Sequence, residues 1–82
     1  MKIDEYSETA VLRVLVCNGT AAKQLKAAAA LIRGLPGVFR VGVDSAASQL
    51  EILFQYPAAG LLRDIYAMVR LVNTEIVALK VY

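Results

Sequence analysis

The sequence predicts an α+β sandwich, with four strands in one antiparallel sheet and two helices on one face of it. Three observations carry this. Aliphatic, β-branched runs and helical-period runs follow one another in the order strand-helix-strand-strand-helix-strand. Each junction falls on Gly, Pro, Asn, Thr or Ser, the residues that break regular structure. The chain has 82 residues, 59% of them hydrophobic, with only 5 Gly and 2 Pro. That is one domain with one core, and too apolar for a disordered tail or a low-complexity linker.

Residues 1–8 read as a polar lead-in, and residues 9–82 as the domain. Residues 9–17 (TAVLRVLVC) form the first strand, with Leu12, Val14 and Val16 on one face and Val11, Arg13, Leu15 and Cys17 on the other. Asn18-Gly19-Thr20 ends it, and Thr20 is the expected N-cap of a helix over 21–33. Leu25, Ala28, Ala29 and Ile32 recur at helical spacing and predict its buried stripe. Gly34-Leu35-Pro36-Gly37 stops that helix, with Gly34 expected in the left-handed cap.

Val38–Val43 is the second strand, residues 44–48 a hairpin turn, and Gln49–Tyr56 the third strand. Pro57 closes the third strand, and residues 58–72 form the second helix. Its expected inner stripe is Leu61, Leu62, Ile65, Met68, Val69 and Val72. Asn73-Thr74 turns into the last strand, residues 75–81, where Val77, Leu79 and Val81 alternate inward. Two split β-α-β halves in this order define the ferredoxin-like fold.

Composition excludes several functions. With no histidine, Ser-His and Cys-His catalysis, imidazole metal sites and a histidine pH switch have no residue to use. One cysteine, Cys17, excludes an internal disulfide framework and an all-cysteine metal cage within one chain. The formal charge of +2 is locally divided. Asp4, Glu5 and Glu8 outweigh Lys2, leaving +4 on the remainder. That is too little for a nucleic-acid binder, which carries a dense basic stripe. Mean hydropathy is +0.57, yet no apolar run approaches the ~20 residues of a membrane span. The amino terminus is acidic and polar, unlike a signal peptide, so the expected location is cytoplasmic.

The loop Gly19-Thr20-Ala21-Ala22-Lys23-Gln24, followed by Leu35-Pro36-Gly37-Val38, Val41, Val43 and Asp44, resembles the heavy-metal-associated domain of copper chaperones and metal-transporting ATPases. That family's pattern is GMTCxxC, a helix, LPGV, then alternating valines before an acidic turn. The resemblance covers residues 9–82, and Thr74–Leu79 resembles the plant-type branch. Aligned without gaps on LPGV, the two metal cysteines fall on Ala21 and Gln24, Thr20 matches the family threonine, and Gly19 takes the usual methionine position. A Cu(I) or Zn(II) site needs soft thiolates, which neither Ala21 nor Gln24 supplies. The resemblance therefore implies the family's fold with a degenerate metal motif. In the plant branch such domains serve as recognition surfaces for other proteins, pathogen effectors included.

These readings converge on a non-catalytic protein-interaction module with no resident cofactor. Its partner is another protein or a second copy, met at the sheet face or an edge strand. The candidate contact residues are Val11, Leu15, Leu53 and Ile76, expected on the face turned away from the helices. Lys23, Lys26 and Arg33 on the first helix are candidates for steering toward an acidic partner. The alternative is a chaperone-like domain that binds Cu(I) or Zn(II) through Cys17, shared across a dimer. Gly37–Arg40 is similar to a Gly-Val-Phe-Arg piece of acylphosphatases, but it opens a strand instead of preceding the first helix. Phe54 and Tyr56 lack the flanking glycines and basic residues of an RNA-recognition motif.

Overall fold

The computed structural model describes residues 8–56 and 60–81. The elements are β1 (Glu8–Val16), α1 (Ala22–Arg33), β2 (Val38–Asp44), β3 (Gln49–Tyr56), α2 (Leu61–Leu71) and β4 (Ile76–Val81). The strands form one antiparallel sheet in the order β2-β3-β1-β4. The expected ferredoxin-like arrangement is the one observed. Of the expected lead-in, residues 1–7 lie outside the described residues, and Glu8 already belongs to β1. The Pro57 stop and the first residues expected in the second helix also lie outside them.

The core is a single apolar layer between the sheet and the two helices. Leu12, Val14 and Val16 of β1 face Leu50, Ile52 and Phe54 of β3, and Val41 of β2 joins them. α1 contributes Leu25, Ala28, Ala29 and Ile32, the four residues its periodicity predicts. The alanines leave room for the helix to lie close to its neighbours. α2 contributes Leu61, Ile65 and Val69. Leu62, expected inside, is exposed, because the stripe of buried α2 residues is one residue narrower on that flank.

Two corrections concern helix ends. Thr20 does not cap α1: the N-cap is Ala21, whose N–H donates to Gln24 Oε1 at 3.1 Å. The Thr20 hydroxyl instead donates back to the Cys17 carbonyl at 2.7 Å. The left-handed residue of the following loop is Gly37, at φ 87°, while Gly34 remains right-handed.

Two bulges reshape the edge strands. In β2 the register shifts between Val38 and Arg40, so Phe39 is the extra residue and stands 59% exposed. In the β1–β4 pair the register shifts between Leu15 and Val16: Ala78 pairs with Leu15, but Ile76 pairs with Val16. Opposed residues of an antiparallel pair share a face. Ile76 therefore lies on the inward face with Val16, and it packs against the core. The expectation that Ile76 sits on the open face is corrected, because strict alternation fails at the bulge. The extra residue, Val77, is 63% exposed instead of buried.

Candidate functional site

Two regions collect the residues singled out by sequence. The first is the loop after β1. Cys17 follows the last residue of β1 and is partly exposed. Its backbone N–H donates to the Glu75 carbonyl at 3.0 Å, which ties it to the start of β4. Its Sγ lies 3.4 Å from Thr20 Oγ1 and 3.4 Å from Thr74 Oγ1, and the two hydroxyls are 2.8 Å apart. The Thr20 hydroxyl, the Thr74 hydroxyl and the Glu75 backbone N–H lower the thiol's pKa from its ordinary value, against weaker opposition from burial and from the Glu75 carboxylate. The sulfur is thus a partly exposed thiol that ionises more readily than a free one.

Ala21 and Gln24 occupy the positions of the family's metal cysteines, and the chemistry there is different. Ala21 has no ligand atom. Gln24 spends both ends of its amide on backbone: Oε1 on the Ala21 N–H, and Nε2 on the carbonyls of Val72 at 2.9 Å and Asn73 at 3.4 Å. It latches the start of α1 to the end of α2. Among the described residues, no group of three or more His, Cys, Asp or Glu side chains could enclose a metal ion. A single sulfur with two hydroxyls is a poor donor set for a soft metal within one chain. Sequence reasoning missed this role for Gln24, since nothing in a linear pattern marks a contact 48 positions away.

The second region is the sheet face opposite the helices. Val11 opposes Leu53, and Arg13 opposes Glu51, across the β1–β3 pair. Arg13 Nε donates to Glu51 Oε2 at 3.0 Å in an exposed ion pair. Leu15 continues the row, between Gln49 and Ala78. Gly42 on β2, lacking a side chain, leaves a shallow depression of about 360 Å³ lined by Val11, Arg40, Glu51 and Leu53. Val11, Leu15 and Leu53 are therefore brought together on one face as expected, and Ile76 is not.

The basic residues of α1 divide. Lys23 and Lys26 are exposed. Arg33 donates to the Val41 carbonyl at 3.0 Å, so part of its guanidinium is occupied by the β2 backbone. α1 carries these three cations and no acidic residue. No helix among the described residues is long and apolar enough to cross a membrane.

No protein-family model matches the chain, and no curated protein sequence does. Solved structures do. A putative copper-ion-binding protein from Bacillus anthracis superposes with a TM-score of 0.72 at 20% identity, over 87% of this chain and 99% of that one. The copper-bound CopA of Bacillus subtilis gives 0.72 at 18% identity, over 88% and 93%. A copper-binding domain from a P-type ATPase gives 0.64 at 21% identity, over 87% and 97%. The chain has the ferredoxin-like fold of these copper-binding domains along nearly their whole length.

Proposed function

We propose that this chain is a non-catalytic protein-interaction module, built on the fold of copper-binding domains, whose partner docks on the open sheet face. The observation that carries the reading is the Gln24 latch. At the position where the resembling family places a metal thiolate, a side-chain amide holds two helices together. The loop is thereby committed to structure, and the apolar row Val11, Leu15 and Leu53 is left on the opposite face with no element among the described residues covering it. Lys23 and Lys26 add a positive flank that favours an acidic partner. A cytoplasmic location agrees with this reading.

One observation favours a second reading, metal handling through Cys17. The thiol is partly exposed, and hydrogen bonding at Thr20, Thr74 and the Glu75 backbone lowers its pKa. Two such thiolates from two chains would satisfy Cu(I).

The test has two arms. Wild type and Cys17→Ser are titrated with Cu(I) against a modest chelator under reducing conditions. Immobilised wild type, Cys17→Ser and Leu53→Asp are then compared for proteins they retain. The interaction reading expects no copper uptake and a partner held by the first two but lost with Leu53→Asp. Copper bound between two wild-type chains and abolished by Cys17→Ser would overturn it in favour of metal handling.

A further inference from the structure

The two edges of the sheet are not equivalent. Both carry a bulge, Phe39 on β2 and Val77 on β4, but on β2 the Arg33 guanidinium also occupies the Val41 carbonyl. β4 pairs only with β1, and its other side has no neighbouring strand among the described residues. Large hydrophobics are exposed elsewhere too, Leu31 on α1, Phe39 on β2 and Leu71 at the end of α2, but β4 carries two of them. Val77 and Val81 are 63% and 62% exposed on β4. On α2, Leu62 and Tyr66 stand one turn apart on the flank nearest β4, and both are exposed. Tyr66 and Arg70 line a depression of about 330 Å³ together with Glu75 and Ile76, which places this flank of α2 against the start of β4. The helix flank therefore stands beside the place where a fifth strand would lie.

We infer that β4 is a self-pairing edge, and that the occupant is β4 of a second copy running antiparallel. The register of β4 points to a second copy. A two-fold axis perpendicular to a sheet opposes residues that must share a face. On β4, Leu79 and Val81 are inward, opposite Val14 and Leu12, and Ala78 and Lys80 outward, opposite Leu15 and Arg13. The register centred on Leu79 sets Ala78 against Lys80 of the second copy, outward against outward. It also sets the exposed Val77 against the exposed Val81. Moving the axis by one residue toward the amino end sets inward Ile76 against outward Lys80. Moving it by one toward the carboxyl end sets the two Lys80 ammonium groups against each other. Of these three registers, the Leu79-centred one alone avoids both the Ile76–Lys80 mismatch and the Lys80–Lys80 repulsion, and it sets the two exposed valines against each other. The product is a continuous eight-stranded sheet with Leu62 and Tyr66 of each copy flanking the junction.

This inference deepens the interaction reading by naming a partner, and it uses a different surface from the open face. The test is sedimentation velocity on the whole chain from low micromolar to about 1 mM, where even millimolar self-affinity half-populates a dimer. Wild type, Val77→Lys, Val81→Glu and an equimolar mixture of the two variants are compared, with circular dichroism to show that each is folded. Both positions are exposed, so the substitutions leave the core intact. Wild type is expected to associate with rising concentration. Each variant should self-associate at least about tenfold more weakly, because both symmetry-related pairs are damaged. The mixture should recover, since one of its pairs opposes lysine to glutamate and the other is valine on valine. A wild type that stays monomeric throughout overturns self-pairing and leaves the sheet-face reading standing. Association disrupted by Leu53→Asp but indifferent to Val77→Lys overturns it too, and puts the second copy on the open face.

Discussion

The hydroxyls of Thr20 and Thr74 meet at 2.8 Å although 54 positions separate them. Thr20 lies in the loop after β1, and Thr74 in the turn before β4. Each hydroxyl has one proton to give. With the thiol protonated, Thr20 gives its proton to the Cys17 carbonyl, and the Thr74 hydroxyl donates to Thr20 or to the sulfur. The pair thus closes the end of the sheet at which Cys17 sits.

That direction of donation makes the two threonines unequal. Thr74 is 5% exposed. Removing the Thr20 oxygen (Thr20→Ala) leaves a buried hydroxyl with only a weak sulfur partner, at a cost of ~1–3 kcal/mol. Thr74→Val leaves Thr20 still bonded to the Cys17 carbonyl, and costs only the ~0.5–1.5 kcal/mol of one net hydrogen bond. Urea unfolding should rank Thr20→Ala below Thr74→Val. The double variant should lose less than the two added together, because they share one bond.

The thiol sets a pH dependence. Cys17 has a lowered pKa in the folded chain, first through Thr20, then Thr74 and the Glu75 backbone. Between the lowered folded value and the ordinary thiol range, the unfolded chain holds the proton that the folded chain has released. Stability from this group therefore rises with pH across that window, is fully present above the unfolded value, and is lost as pH falls through the folded value. Wild type should gain stability relative to Cys17→Ser as pH rises from 7 toward 9. Iodoacetamide alkylation should show a midpoint below that of a free thiol, moved upward by Thr74→Val. Equal midpoints in wild type and Thr74→Val would remove Thr74 as a cause.

Gln24 carries a larger structural burden than its place in the sequence implies. Its amide satisfies one orphan N–H at the start of α1 and one orphan carbonyl at the end of α2. Gln24→Ala should lower stability by about 1–3 kcal/mol, the worth of two modest hydrogen bonds. Amide exchange should speed up at the end of α2 as well as at the start of α1. Installing the family's motif with Ala21→Cys and Gln24→Cys should create Cu(I) uptake at the expense of that stability. A double variant as stable as wild type would mean that the latch contributes nothing.

What could be read from residues alone follows from which interactions are local. The α1 stripe of Leu25, Ala28, Ala29 and Ile32 was legible because a 3.6-residue period depends on the helix alone. The shared open face of Val11 and Leu53 was legible because β1 and β3 alternate without interruption and keep an unbroken register. The side chain at residue 76 was not, because the β1–β4 bulge is a property of two strands 60 positions apart and leaves no mark on the alternation of either. The Thr20–Thr74 contact and the Gln24 latch escape a linear reading for the same reason. The cysteine stood out because it is the only one, but its hydroxyl partners did not.

The bulge can be tested by opposite substitutions. Val11 and Ile76 would share the open face if β4 alternated without interruption. In the observed register Val11 faces away from the helices and Ile76 packs on the core. Val11→Lys should therefore cost under about 1 kcal/mol, since its ammonium reaches water beside Glu51. Ile76→Lys must either bury an ammonium among core side chains or pull the start of β4 off the sheet, and should cost at least about 2–3 kcal/mol. The check is thermal and urea unfolding of both variants. A small loss for Ile76→Lys with a large one for Val11→Lys would restore strict alternation and remove the bulge. The expected order keeps Val11 available to a docking partner and assigns Ile76 to the fold.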